Sequence, residues 1–335
     1  MSKPEHQITE LPILVIFPHS RCNCRCVMCD IWRIRQIREI TERDLEPHLA
    51  GFRELNVKWI VFSGGEPLMH SDLGSLSRLC RAEGMRCTLL TAGLLLEKHA
   101  QMIVDFMDDI IVSIDGPPDI HDQIRGVPGA YRRLQQGIQK LRELRPQIPI
   151  SGRCTIQKQN QRELRNTVQT AHELKLNSLS FLAADTTSEA FNRPNGWTHE
   201  RRTTVALDEA ETDLLDVEIE TLIRECGKEI ESGFIVESPS KLRRIALRFR
   251  MQLGQVQATA PRCNAPWVSA VVESDGAVRP CFFHRPIGNI HERPFADILN
   301  SNEALEFRRY LNISTNAICR NCVCSLFVET QLAVS

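Results

Sequence analysis

Six short β-rich runs alternate with helical stretches over the first 185 residues, and this alternation constrains the fold more than any other feature. The runs are ILVIF (13–17), KWIVF (58–62), CTLL (87–90), IIVSI (110–114), ISGRCTI (150–156) and SLSFLA (178–183). Between them, apolar residues recur three or four apart. The sets are Leu45, Leu49, Phe52 and Leu55; Leu73, Leu76 and Leu79; Leu134, Ile138 and Leu141; and Leu164, Val168 and Ala171. Each set lies on one face of a helix. Asn160, with Glu163 three residues on, is expected to cap the last of these. Strand–helix alternation over six units predicts a parallel sheet with crossover helices. A doubly wound sheet and a partial or full barrel both satisfy it.

The pattern changes after Ala183. Residues 184–204 are polar and loop-like, with NRPNGW as a turn cluster, and 207–232 and 240–253 read as helices. In WVSAVVESDGAVRPCFF (267–283), two β-rich runs flank Asp275-Gly276, which predicts a hairpin. The expected division is a core over 11–205, a helical connector over 206–254 and a C-terminal domain over 255–335.

Thirteen cysteines in 335 residues is a high count, and their distribution carries information. The number is odd and no secretion signal is visible, which argues against a disulfide framework. Four cysteines lie at 22–29 and five at 263–324. Cys80, Cys87, Cys154 and Cys226 are scattered between, as small core hydrophobes would be. The two clumps look like metal sites. A formal net charge of −1 gives no electrostatic reason for a nucleic acid or an anionic membrane as partner. No apolar run approaches the roughly 20 residues needed to span a bilayer. A cytoplasmic location is expected.

Chemistry-bearing residues follow the predicted strands. Cys22 to Cys29 follow the first, SGGEP (63–67) the second and TAG (91–93) the third, and SIDG (113–116) ends the fourth. Sites in parallel α/β folds gather at this edge, so the motifs imply one shared site. Cys22, Cys26 and Cys29 have the spacing Cys-x-x-x-Cys-x-x-Cys. With GGEP downstream, residues 11–185 resemble the radical S-adenosylmethionine (SAM) superfamily.

The resemblance implies a partial (β/α)6 TIM-like barrel. It implies that Cys22, Cys26 and Cys29 hold a 4Fe–4S cluster, with Cys24 a bystander and one iron open to SAM. Gly64, Gly65, Glu66 and Pro67 would support the SAM amino group. Thr91 and Ser113 would lie near its carboxylate or ribose, and Met28 near its adenine. Arg125, in HDQIRG (121–126), is a carboxylate partner or a structural mate of Asp115 or Asp122. Arg153 is a second candidate for facing a charge. No role is assigned to His19, His70 or His99, and no catalytic acid or base is assigned; Asp185, just past the sixth strand, is well placed for one but reads as a solvated loop residue.

Cys263 is followed by twelve residues, Gly276, four residues and Cys281, and CRNCVC supplies Cys319, Cys322 and Cys324. Local spacing leaves zinc and iron–sulfur both open. The arrangement resembles the SPASM and twitch domains appended to many radical SAM enzymes, which implies a small hairpin–helix domain with an auxiliary 4Fe–4S cluster. Five cysteines supply one such cluster. Cys263, Cys281, Cys319 and Cys322 are the expected ligands, with Cys324 as alternate and Cys281 on the second hairpin strand.

The implied activity is reductive cleavage of SAM to a 5′-deoxyadenosyl radical that abstracts hydrogen from a substrate. An external flavodoxin- or ferredoxin-type electron donor would be needed. No separate leader-binding domain fits ahead of Ile13, so a small biosynthetic intermediate is favoured over a peptide, with 184–204 and the following helices as a lid. A peptide-modifying maturase is the alternative. A non-catalytic iron–sulfur or zinc protein is the alternative from another class.

Overall fold

The computed structural model describes residues 6–329. Nine strands form one sheet: β1 (Ile13–Ile16), β2 (Trp59–Phe62), β3 (Arg86–Thr91), β4 (Asp109–Ser113), β5 (Ile150–Ile156), β6 (Ser178–Ala183), β7 (Ser269–Val272), β8 (Ala277–Arg279) and β9 (Gly288–Asn289). The first six match the β-rich runs to within about a residue. The helices of the first half are α1 (Glu42–Leu45), α2 (Leu49–Glu54), α3 (Leu73–Ala82), α4 (Ala100–Phe106), α5 (Pro118–Arg125), α6 (Ala130–Leu144) and α7 (Leu164–Glu173). Those of the second half are α8 (His199–Thr203), α9 (Glu209–Glu225), α10 (Gly227–Glu231), α11 (Pro239–Gln252), α12 (Ala265–Val268), α13 (Phe295–Leu299), α14 (Asn302–Tyr310) and α15 (Ala317–Arg320).

The strand order is β6-β5-β4-β3-β2-β1-β7-β8-β9. From β1 to β6 each strand lies beside its predecessor and all pairs are parallel. A doubly wound sheet reverses its strand order at a switch point. None occurs here, so the crossover helices stay on one face and the other face is left for a site. On β5 the two faces separate cleanly. Ile150, Cys154 and Ile156 are buried, whereas Ser151, Arg153 and Thr155 are half-buried on the opposite side.

β7 is parallel to β1, with Ile13 opposite Ser269 and Ile16 opposite Val272. β8 and β9 then continue antiparallel. The structure is therefore an α/β core with a mixed sheet and a small C-terminal domain whose hairpin is hydrogen-bonded to the first strand. Gly276 makes the hairpin turn at φ +81°, a conformation that a side chain strains. Residues 330–335, the end of the expected C-terminal domain, lie outside the described residues.

Three expectations are corrected. Asn160 does not cap α7. Its Oδ1 accepts from Gln157 N at 2.8 Å and its Nδ2 donates to Asp115 O at 2.9 Å, so it joins the ends of β4 and β5. Cys281 lies two residues beyond β8, because Pro280 cannot donate to the ladder. The 184–204 stretch contains α8 and packs onto the cysteine loop.

Candidate functional site

The first site begins with a turn that has no room for side chains. At Gly64, φ +105°, a Cβ would meet Phe17 Cβ at 2.7 Å, and at Gly65 it would overlap the Arg21 carbonyl. The two glycines thus let SGGEP approach the cysteine loop, where Glu66 N donates to Arg21 O at 2.9 Å. Pro67 is buried and opens a single 3-10 turn over 67–69.

Glu66 is fully buried. Its carboxylate accepts from Leu68 N at 3.1 Å, Thr91 Oγ1 at 2.7 Å and Ala92 N at 2.9 Å. Burial still holds the carboxyl above its usual range, against these bonds. The Thr91 hydroxyl also accepts from Gly93 N at 3.0 Å. Glu66 and Thr91 therefore fasten two strand-end turns together, and their polar atoms are engaged within the protein. Ser113 stands half-buried at the end of β4.

Cys24 and Cys26 are buried with Ala92, and Cys22, Met28 and Cys29 pack against them. Helix α5 supports this loop from one side. Arg25 N donates to Arg125 O at 2.8 Å, and Val27 N to Ile124 O at 3.0 Å. The Arg125 guanidinium pairs with Asp115 at 2.5 Å and reaches Cys26 Sγ at 3.6 Å. Of the two partners open to it from sequence, Arg125 takes Asp115. Asp122 instead accepts from Gly129 N and Tyr131 N. The Cys26 thiol is drawn down to about 7 by Cys24 and, against burial, by Arg125. Burial pushes Cys29 up to about 12. Ligation requires thiolates, so loading this loop must release protons.

The 184–204 segment holds the same loop from the other side, which the sequence did not reveal. Arg193 is buried. It donates to Asp185 Oδ2 at 3.0 Å and to Met28 O, and it stacks 3.7 Å above the Trp197 ring. Trp197 Nε1 donates to Asp30 Oδ2, and Arg201 donates to Val27 O at 2.6 Å. Asn192 Nδ2 donates to Asp30 O at 3.0 Å. Asp185 is thus a buried anchor for Arg193 and not a solvated loop residue. The only signal was the density of arginine and aromatic residues in NRPNGWTHERR. His70 is scaffold, its Nε2 bonded to Ile40 O and its Nδ1 to Asp72 N. His19 is likewise held by Arg21 and faces Glu39. His99 is half-buried, with its Nε2 atom buried and unpartnered.

The second site is a cavity of about 150 Å³ lined by Cys263, Cys281, Cys319, Cys322 and Cys324. Its remaining wall is mainly apolar, with Val15, Val271, Ile313 and Ile318. His284 Nε2 lies 3.4 Å from Cys319 Sγ. Burial pushes Cys319 up to about 11. Among the described residues, no three His, Cys, Asp or Glu side chains close on a single ion. Five sulfurs around a cavity fit a multi-iron body. Phe282 stands between the two sites, edge-on to Phe17 at 5.7 Å and Phe191 at 4.7 Å.

The comparisons with known proteins agree with this geometry. The Radical SAM superfamily model matches residues 16–171, and an iron–sulfur cluster-binding domain, SPASM, matches 263–323. The chain is a radical SAM enzyme with a C-terminal SPASM-type domain, and its cofactors are SAM, a 4Fe–4S cluster and an auxiliary cluster. An Fe-coproporphyrin III synthase of Methanosarcina barkeri is 28% identical over 304 residues, 86% of this chain and 73% of that protein. Shorter matches to AdoMet-dependent heme synthases span less than half of their length. A PqqA peptide cyclase of Ruegeria pomeroyi is 25% identical over 83% of this chain and 69% of that protein. The structure of Streptococcus suis SuiB bound to precursor peptide SuiA aligns with TM-score 0.65 and 16% identity, over 95% of this chain and 71% of that chain.

These findings correct the preference for a small molecule over a peptide. Proteins named for peptides share this architecture over most of the chain. No helix of the described residues is long and apolar enough to cross a membrane.

Proposed function

We propose that this enzyme uses SAM-derived radical chemistry to modify a peptide. The reading is carried by one observation: the cysteine loop, the SGGEP turn and the Asp115–Arg125 pair meet at one sheet edge, on a chain whose relatives include a peptide cyclase. Bound SAM and its cluster supply a carbon radical able to remove a hydrogen atom from an unactivated position. The protein's part is to hold, orient and exclude water. In this reading Cys22, Cys26 and Cys29 are the cluster ligands and Cys24 packs beneath them. The backbone of Gly64, Gly65 and Glu66, with Ser113 and Met28, faces SAM. Glu66, Pro67 and Thr91 keep that turn in shape, and Arg125 positions Cys26.

Cys263, Cys281, Cys319 and Cys322 hold the auxiliary cluster, with Cys324 as alternate. The singly wound core is read as an open (β/α)6 barrel over 11–205, joined through 206–254 to the cluster domain from 255 onward. Thirteen free cysteines suit the reducing cytoplasm.

An open cleft of about 540 Å³ supports the peptide reading. Phe17, Phe282 and Phe283 line it beside Ser20, Asn192 and Arg285. Apolar rings next to polar groups suit an extended chain, whose side chains and backbone need both. The test is to incubate anaerobically reconstituted, reduced protein with SAM and candidate precursor peptides, following 5′-deoxyadenosine and peptide mass together. Loss of hydrogens or a new cross-link in a peptide is the expected result. Turnover of Fe-coproporphyrin III with every peptide unchanged would overturn the reading.

A further inference from the structure

Helix α11 carries two kinds of basic residue. On its outer side, Arg243 grips Glu220 through bonds of 2.6 and 2.8 Å, and Arg250 pairs with Asp213 and Asp216 of α9. On its inner side, Lys241, Arg244 and Arg248 line a cavity of about 270 Å³. None of these three forms an ion pair among the described residues. Arg248 is 4% exposed, and its guanidinium meets only the neutral Thr187 Oγ1 at 3.0 Å and Asn321 Oδ1 at 3.5 Å. Its Nε has no partner. Arg244 reaches only the carbonyl and hydroxyl of Thr259. From β5, Arg153 lines the same cavity, and its Nε is also buried without a partner.

The lining contains one carboxylate, Glu237, and it is engaged. It accepts from Ser180 Oγ and Phe181 N, each at 2.8 Å. Asp185, whose charge also attracts Arg248, is already bonded to Arg193. Four cations therefore face one committed anion. A buried guanidinium without a counter-charge is costly, and its planar fork matches a carboxylate. Lys241, Arg244 and Arg248 fall on one helix face over about 10 Å of rise. The outermost is exposed and the innermost buried, and Cys322 and Cys324 form the far wall.

We propose that this cavity is a carboxylate-binding site that anchors an acidic group of the substrate beside the auxiliary cysteines. It rests on the peptide reading to the extent that the acidic group is a glutamate or aspartate side chain. The same chemistry would receive a carboxylate carried on a tetrapyrrole, and the test separates the two. The rival account is that the cations balance the charge of the auxiliary cluster, whose candidate ligands line the same wall.

The experiment uses the reconstituted full chain, anaerobically, with dye-labelled hexaglutamate read by fluorescence anisotropy and hexaglutamine as control. Hexaglutamate alone is expected to bind. Lys241→Glu and Arg244→Gln should each weaken it about tenfold or more, the loss typical of one charge-assisted contact. Arg243→Gln removes the same single charge as Arg244→Gln, but from the outer side, and should leave binding within about twofold. Because Lys241 is exposed, its variant keeps the fold, which circular dichroism checks. Equal weakening by Arg243→Gln and Arg244→Gln overturns the proposal. A shifted potential of the auxiliary cluster with unaltered hexaglutamate binding overturns it too, in favour of the rival account. Binding of Fe-coproporphyrin III that depends on Lys241, with none of hexaglutamate, keeps the carboxylate site and overturns the peptide reading.

Discussion

The two cysteine sites use the same side chain and are held in opposite ways. The loop at 22–29 is gripped on two sides. Helix α5 bonds to Arg25 and Val27, while 184–204 bonds to the carbonyls of Val27, Met28 and Asp30. The cavity at 263–324 has a mainly apolar wall, one histidine beside Cys319, and an exposed Cys324. A loop whose backbone is tied in place presents its thiols in one arrangement whether or not iron is bound. A cavity with more cysteines than one cluster needs leaves the choice of ligands to the metal. We infer that the backbone of the first site is set by the fold and that the second is completed by what it binds, although in neither do three cysteines close on a single ion among the described residues.

The largest expected effect tests the first half of that contrast. Single alanine changes at Cys22, Cys26 or Cys29 should abolish 5′-deoxyadenosine formation. Cys24→Ala should retain it, because Cys24 packs under the loop. Release assayed by chromatography decides the matter. Loss confined to the Cys24 variant would mean that the fold presents a different set of thiols.

Iron content tests the second half. About eight irons per chain are expected, four per cluster, and removing Cys22, Cys26 and Cys29 together should leave about half. If the cavity selects its ligands when metal arrives, Cys324→Ala should keep the full content. Elemental analysis that finds about four irons and one zinc would place a different body in the cavity.

The sequence revealed the parts of this contrast that arise from local pattern. Strands β1 to β6 were legible because each is a short β-rich run between turn signals. The two cysteine clumps were visible in the sequence, and the structure gathers one in a loop and the other around a cavity. What was not legible depends on non-local pairing. Nothing in SAVV (269–272) tells that it hydrogen-bonds to ILVI (13–16), over 250 residues away, and so extends the core sheet. Asn160 resembled a cap because a capping residue and a strand-linking asparagine share one side chain. The grip of 184–204 was missed because polar residues read as solvated until their partners are known. Arg193, Trp197 and Asp30 satisfy one another across more than 160 residues. Helices α4 and α5 were missed for their shortness, and α5 proved to be the one that ties Arg125 to the cysteine loop.

Stability measurements on metal-free protein should separate the two regions directly. Arg193→Met leaves Asp185 buried without its cationic partner and frees the Met28 carbonyl. It should destabilise the fold by about 3 kcal/mol, the usual cost of breaking a buried pair. His284→Gln, at the second site, should cost less, about 1 kcal/mol, since it removes a weak contact to Cys319 sulfur and an edge-on contact with the Phe307 ring, and no buried ion pair. Denaturant midpoints measure both. Equal losses would erase the distinction between a preorganised loop and a cavity completed by metal.

The smallest effect is acid sensitivity on the first side. His121 is fully buried, and its Nδ1 accepts from Asp115 N at 3.3 Å. Burial, and then the charge of Arg125, holds its pKa well below the usual 6.5. The unfolded chain therefore takes up this proton at a higher pH than the folded one. The stability attached to neutral His121 is full above 6.5 and is lost as the pH falls below it. Burial lowers His19, His48 and His99 as well, so His121 accounts for only part of the slope. His121→Asn isolates that part, because the amide oxygen can still accept from Asp115 N and does not titrate in this range. Denaturation of metal-free protein at about pH 7.5 and 5.5 should show a smaller acid-induced loss in the variant than in the parent. Equal losses would mean that His121 contributes nothing to the pH response of the fold.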